Sequence, residues 1–250
     1  MTKSKKIFCG IALLSAACAV FAFCGGDSGS QEGGDANGVS AQTQEDASTG
    51  KSKDKTTETY LKGRELAFGL NGRKINLERG KALLREAADL GSVDAKGELA
   101  ALCLSDDSGL GYDLAVEAAE AGNPFGQLAL AACYGGGIEV VRDRDEASKL
   151  LRKAFVGFKE RAAKKDPRAT LFYAGLAPRY ERLEPEQVKE MLREAANAKS
   201  AEAAYELGRY YDRVGRDADG KLWLQRAEEA GIGELTSATG ALDDGLDYVN

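Results

Sequence analysis

The side chains of this chain that could do chemistry are carboxylates, a glycine run and five cysteines; histidine is absent from all 250 positions. Without imidazole there is no base for a Ser-His-Asp or Cys-His arrangement, and the commonest ligand for zinc, copper and non-haem iron is missing. Asp217-Ala218-Asp219-Gly220 has the outline of a calcium loop. With Gly220 at the sixth loop position, however, Gly215 stands first and Arg226 twelfth, where calcium requires an aspartate and a bidentate glutamate. The tetrad therefore reads as a helix-start turn. Asp106-Asp107 and Asp243-Asp244 could pair an acid with a base, but adjacent acids among Gly and Ser are the residues of solvated turns and caps. Gly135-Gly136-Gly137 lacks a following Lys-Ser or Lys-Thr and follows a helical pattern, so it is not a phosphate loop. The expectation is no enzyme, no cofactor and no metal.

Charge narrows the partners. With 34 Lys+Arg against 40 Asp+Glu the chain carries −6, leaving no basic field for phosphates, and nucleic acid is not an expected partner. The only strongly basic start is at the N-terminus, where Lys3, Lys5 and Lys6 precede an uncharged apolar stretch from Ile7 to Phe23. That order of charged and hydrophobic regions is what an export signal requires, and residues 1–23 are assigned to one. Seventeen uncharged residues at about 1.5 Å each could also just cross a thin bilayer, which keeps an uncleaved anchor as the second reading.

Residues 24–57 are filled with Gly, Ser, Asp, Glu, Gln and Thr, and read as a disordered tether that cannot bury enough apolar surface to offset ordering. Cleavage has three candidate places. Leu14-Ser15-Ala16-Ala17-Cys18 resembles a bacterial lipobox, with lipid on Cys18. Cys24 adjoins the tether more closely but follows the bulky Phe23, and Val20-Phe21-Ala22 suits plain cleavage. Loss of the signal lysines leaves −9 on the mature chain, so acyl chains on Cys18 or Cys24, and not electrostatics, would hold it at a membrane. The expected address is the cell envelope, as a membrane-anchored lipoprotein or a periplasmic protein.

The elements that position the rest repeat themselves. Leu84-Arg85-Glu86-Ala87-Ala88 recurs identically as Leu192-Arg193-Glu194-Ala195-Ala196. Weaker copies begin at Ala115, Leu151 and Leu224, giving steps of 31, 36, 41 and 32 residues. Each is preceded by a second helical pattern with a small residue at a matching place: Gly63, Ala100, Ala131, Ala174 and Gly208. Small residues there let paired helices approach closely, while Leu and Tyr at helical spacing form the stripe between them. Glycine-bearing connectors follow the first helices, and Gly91, Gly122 and Gly231 close three of the second ones. A period of this length built from helix pairs is a solenoid signature, since one hairpin cannot bury its apolar face alone.

Tyr134-Gly135-Gly136-Gly137-Ile138, then Asp145-Glu146-Ala147 and Leu151-Arg152-Lys153-Ala154, resemble the Sel1-like repeat, and Arg79 through Gly91 is similar to that family's second helix. The resemblance covers about residues 58–231 in five units, with 232–250 as a C-terminal cap or tail. It implies an all-α fold, an α/α superhelical solenoid of about five helix-hairpin repeats whose first helices line a concave face that binds another protein or peptide. Tyr60, Phe68, Tyr134, Tyr173, Tyr180, Tyr210 and Tyr211 concentrate on or beside first helices, with Arg64, Arg179 and Arg209 in the same segments. Two readings stand: these aromatics are inter-helix core, or some face the groove, in which case Arg64, Tyr134, Tyr173, Arg179, Tyr180, Arg209 and Tyr210 are the partner-binding set. Cys103 and Cys133 fall on neighbouring first helices, whose axes should lie about 8–10 Å apart, beyond the roughly 7 Å a disulfide spans, so two buried thiols are expected. The functional expectation is an exported, membrane-tethered interaction scaffold; an envelope enzyme using carboxylates, or a purely structural or immunity protein, is the alternative.

Overall fold

The computed structural model describes residues 47–233 and residue 235. The export signal, Cys18, Cys24, most of the tether and Asp243-Asp244 lie outside the described residues. Ten helices follow one another: α1 (Ala47–Phe68), α2 (Leu77–Asp89), α3 (Val93–Cys103), α4 (Ser108–Glu120), α5 (Pro124–Gly136), α6 (Arg144–Ala163), α7 (Pro167–Tyr180), α8 (Pro185–Asn197), α9 (Ala201–Arg213) and α10 (Asp217–Glu229). They pack as five antiparallel hairpins, and each second helix also contacts the first helix of the next hairpin. Among the described residues there is no strand. The fold is an all-α helical repeat solenoid.

One boundary moves. Helix α1 begins at Ala47, so the last eleven residues assigned to the tether, 47–57, are helical. Once Thr59, Tyr60, Arg64 and Phe68 are buried against the array, each further upstream residue adds a backbone bond to an existing helix without a new nucleus. The extension needs no apolar face, and Lys55 pairs across solvent with Glu86 at 3.7 Å.

Helix starts follow local chemistry. The side chains of Asn76, Ser92, Asp107, Asn123, Asp143, Asp166 and Ser200 accept from backbone N–H groups of the turns they open. Asp107 thus serves as a cap and Asp106 pairs with Lys81 at 2.5 Å, the structural reading of that acidic pair. Asp217 and Asp219 lie in the first turn of α10. The second helices close on left-handed residues: Gly91, Gly122 and Gly231 in hairpins one, two and five, and Lys165 and Lys199, at φ of 64° and 61°, in hairpins three and four. Burial also silences the thiols. Cys103 and Cys133 are separate and buried, neither bridged among the described residues, and burial pushes the Cys133 thiol up to about 12.

The first hairpin reaches back to the fifth. From the loop joining α1 and α2, Gly69 O accepts from Ala201 N–H at 3.1 Å, while Gly72 N–H donates to Lys199 O at 3.3 Å and Ile75 N–H to Ala230 O at 2.8 Å. Ile75, Ile232 and Leu235 are all buried. The inner side of the first helices is thereby enclosed.

Candidate functional site

Five first helices send side chains to one interior point. The Arg168 guanidinium of α7, 1% exposed, lies 3.4 Å over the Phe68 ring of α1 and 5.0–5.1 Å from Phe172 of α7 and Phe125 of α5. Its Nε donates to Glu202 of α9 at 2.8 Å, and its Nη1 is 3.8 Å from Glu98 of α3. Glu98 accepts from Arg64 Nε at 2.7 Å and Tyr60 Oη at 3.3 Å. Arg64 Nη2 donates to both carboxylate oxygens of Asp166, the residue capping α7, at 2.6 and 2.9 Å. Tyr60, Arg64 and Phe68 stand at i, i+4 and i+8, one stripe of α1, which is why a single helix supplies three members.

Electrostatics mark this as a structural lock. Burial alone would raise the Asp166 carboxyl, but the charge of Arg64 and the N–H groups of Ala169 and Arg168 hold it below the usual range. Burial does win at Glu98, which is raised despite Arg64 and Arg168. Every charged member faces another charged or aromatic member, so the arrangement joins hairpins.

A second cluster lies at the surface, where α6 meets the end of α7. Phe155 packs against Tyr173 and Tyr180, with ring centroids 5.6 and 4.8 Å away. The guanidinium groups of Arg152 and Arg179 sit 5.5 and 5.8 Å from the Tyr180 ring. Tyr173 Oη donates to Glu181 at 2.6 Å, and Lys159 also bonds that carboxylate. Burial and the bond to Glu181 push the Tyr173 hydroxyl up to about 12, so it stays a donor at neutral pH. Tyr173 and Tyr180 are half-buried; Arg179 and Arg152 are exposed.

The structure thus brings Tyr173, Arg179 and Tyr180 together and separates the other sequence-derived candidates. Arg64 is corrected from a groove residue to an interior one, because Glu98 and Asp166 claim its guanidinium. Tyr210 is likewise taken into the core, at 3% exposure, with its ring against Tyr211. Tyr134 is half-buried and hydrogen-bonded to Tyr112, one hairpin away. Arg209, half-buried, lies 5.7 Å from the Tyr205 ring. Sequence reasoning missed Glu98, Arg168, Glu202 and Glu206. The available signal was position: Glu98 falls three residues after Ala95 and four before Leu102, on an otherwise apolar stripe.

Glu206 differs from the others, since neither carboxyl oxygen has a hydrogen-bond partner among the described residues. Burial raises its pKa; Arg209 and Arg213 pull it back and Glu202 opposes them. A carboxyl that holds its proton more tightly folded than unfolded contributes its stability below the unfolded value near 4.5 and loses it as pH rises through the folded value. Glu206→Leu is therefore expected to raise stability at pH 7 by about 1–3 kcal/mol and to flatten the fall in stability above pH 4.5, read from urea midpoints across pH.

No protein-family profile matches the chain, and no curated protein matches it. Among solved structures, it is similar to a Sel1 repeat protein from Oxalobacter formigenes, at 18% identity over 73% of each chain with a TM-score of 0.38. It is also similar to a protective antigen of uropathogenic Escherichia coli strains that displays an SLR fold, at 18% identity with a TM-score of 0.33, covering 73% of this chain. The chain spans about half of that antigen, 48% of its length. On its own geometry, the chain is an all-α array of five helix hairpins whose first helices meet around Arg168.

Proposed function

We propose that this protein is an exported, membrane-tethered scaffold that holds another protein or peptide. The observation that carries the reading is the aromatic and arginine cluster of Tyr173, Tyr180, Arg152 and Arg179, presented at the surface where α6 packs on α7. Tyr and Arg are the side chains that most often anchor partners, because each combines a large apolar area with directional polar groups. With Arg64 and Tyr210 committed inside, recognition moves from the enclosed inner side to this rim. The N-terminal pattern that resembles an export signal, with Cys18 and Cys24 as the candidate attachment points, supports placement at the envelope membrane; intact mass of protein purified from its native envelope, beginning at one of these cysteines with about three acyl chains, tests it.

Arg179 is exposed and lies outside the interior lock, so Arg179→Ala should leave helicity and melting unchanged. Retention of a specific envelope partner on immobilised protein is expected to fall about 30-fold, as for loss of a contact worth about 2 kcal/mol. Unchanged retention by Arg179→Ala and Tyr173→Ala would contradict the assignment.

A further inference from the structure

A recessed cleft lies where the first hairpin meets the fourth and fifth. Its volume is about 270 Å³, and its lining includes Gly69, Gly72, Lys199, Ser200, Trp223 and Arg226. Arg226 stacks 4.5 Å from the Trp223 ring centroid. Among the described residues neither Lys199 nor Arg226 makes an ion pair, whereas the nearby carboxylate of Glu65 is already engaged by Arg73 at 3.4 Å and Asn71 at 2.8 Å. Two cations without acidic partners, an indole face and walls of Gly and Ala suit an extended chain bearing carboxylates: the cations meet the acids, the small residues admit the backbone, and Trp223 receives an aliphatic stem.

We propose that this cleft binds an acidic peptide segment of a partner protein. The inference rests on the scaffold reading for the ligand's being a polypeptide, but uses residues remote from Tyr173 and Tyr180. Because the walls of the cleft come from the first hairpin and from the fourth and fifth, an occupant also bridges the two ends of the array.

Trp223 is the only tryptophan, so its emission reports the cleft alone. The test titrates purified full-length protein with an end-blocked tetraglutamate peptide, a tetralysine peptide and glutarate. Tetraglutamate is expected to give a saturable emission change that weakens with salt, with at least tenfold weaker binding in Lys199→Gly and in Arg226→Gln. Lys199→Gly suits the left-handed backbone there and so preserves the fold. Arg179→Ala should bind tetraglutamate normally, which separates failure of this site from failure of the rim cluster. Absence of saturation, equal binding of tetralysine, or undiminished binding by both variants would overturn the proposal. Glutarate binding as tightly as tetraglutamate would overturn the peptide assignment in favour of a small-anion site.

Discussion

Arg168→Met is expected to lower the free energy of unfolding by about 3–5 kcal/mol, the cost of removing one partner from a buried ion pair. The substitution leaves Glu202 buried without its bond at 2.8 Å and strips Glu98 of one of two neighbouring cations. It also removes the guanidinium from the faces of Phe68, Phe125 and Phe172. Pairing Arg168→Met with Glu202→Leu should recover most of that loss, because a packed apolar pair is often as stable as the ion pair it replaces. Urea midpoints of the two variants decide the matter. A loss under about 1 kcal/mol for the single variant would mean that the first helices are not held by this centre.

The next largest effect is expected at Gly80, where α2 crosses α1. A Cβ added there would lie 2.5 Å from Ala67 N and 2.7 Å from its Cα. Those are backbone atoms, so no side-chain rotation relieves the overlap and α2 must move off α1. Gly80→Ala should cost about 3 kcal/mol, the upper end of overpacking, and lower the melting temperature by about 2–4 °C for each kcal/mol. Gly109→Ala supplies the contrast. Its new Cβ would meet nothing nearer than Asp107 Oδ1 at 3.9 Å, inside a helix where alanine is favoured by up to about 1 kcal/mol. The first variant should melt earlier than the parent and the second later; equal melting would contradict the packing assigned to Gly80.

Features set by neighbours along the chain were readable before the structure. The recurring Leu-Arg-Glu-Ala-Ala copies fall on α2 and α8, the small residues at Gly63 and Gly208 lie where paired helices touch, and Gly91, Gly122 and Gly231 take the left-handed closing conformation. Local chemistry also identified Asp107 and Asp217 as helix-start residues. What depended on distant segments was not readable. The loop of residues 69–76 carries no mark saying that it bonds Lys199, Ala201 and Ala230. Arg64 looked available because the acids that claim it stand 34 and 102 residues away. Glu98 and Glu202 break the apolar pattern of their helices only because arginines from other hairpins meet them. Lys165 and Lys199 do the work of closing glycines, which residue type alone does not signal.

The cluster was half readable: Tyr173, Arg179 and Tyr180 were picked by residue type, while Phe155 and Arg152 join them only through the packing of α6 on α7. Whether that cluster is the partner surface is best tested by site-specific photo-cross-linking in the native envelope. A benzophenone-bearing phenylalanine in place of Tyr180 should yield one discrete adduct that Arg179→Ala diminishes, and the same residue in place of Val141, 86% exposed and outside the cluster, should yield none. Identical adducts from both positions, or no adduct from Tyr180, would contradict the assignment of the rim cluster as the site of partner recognition.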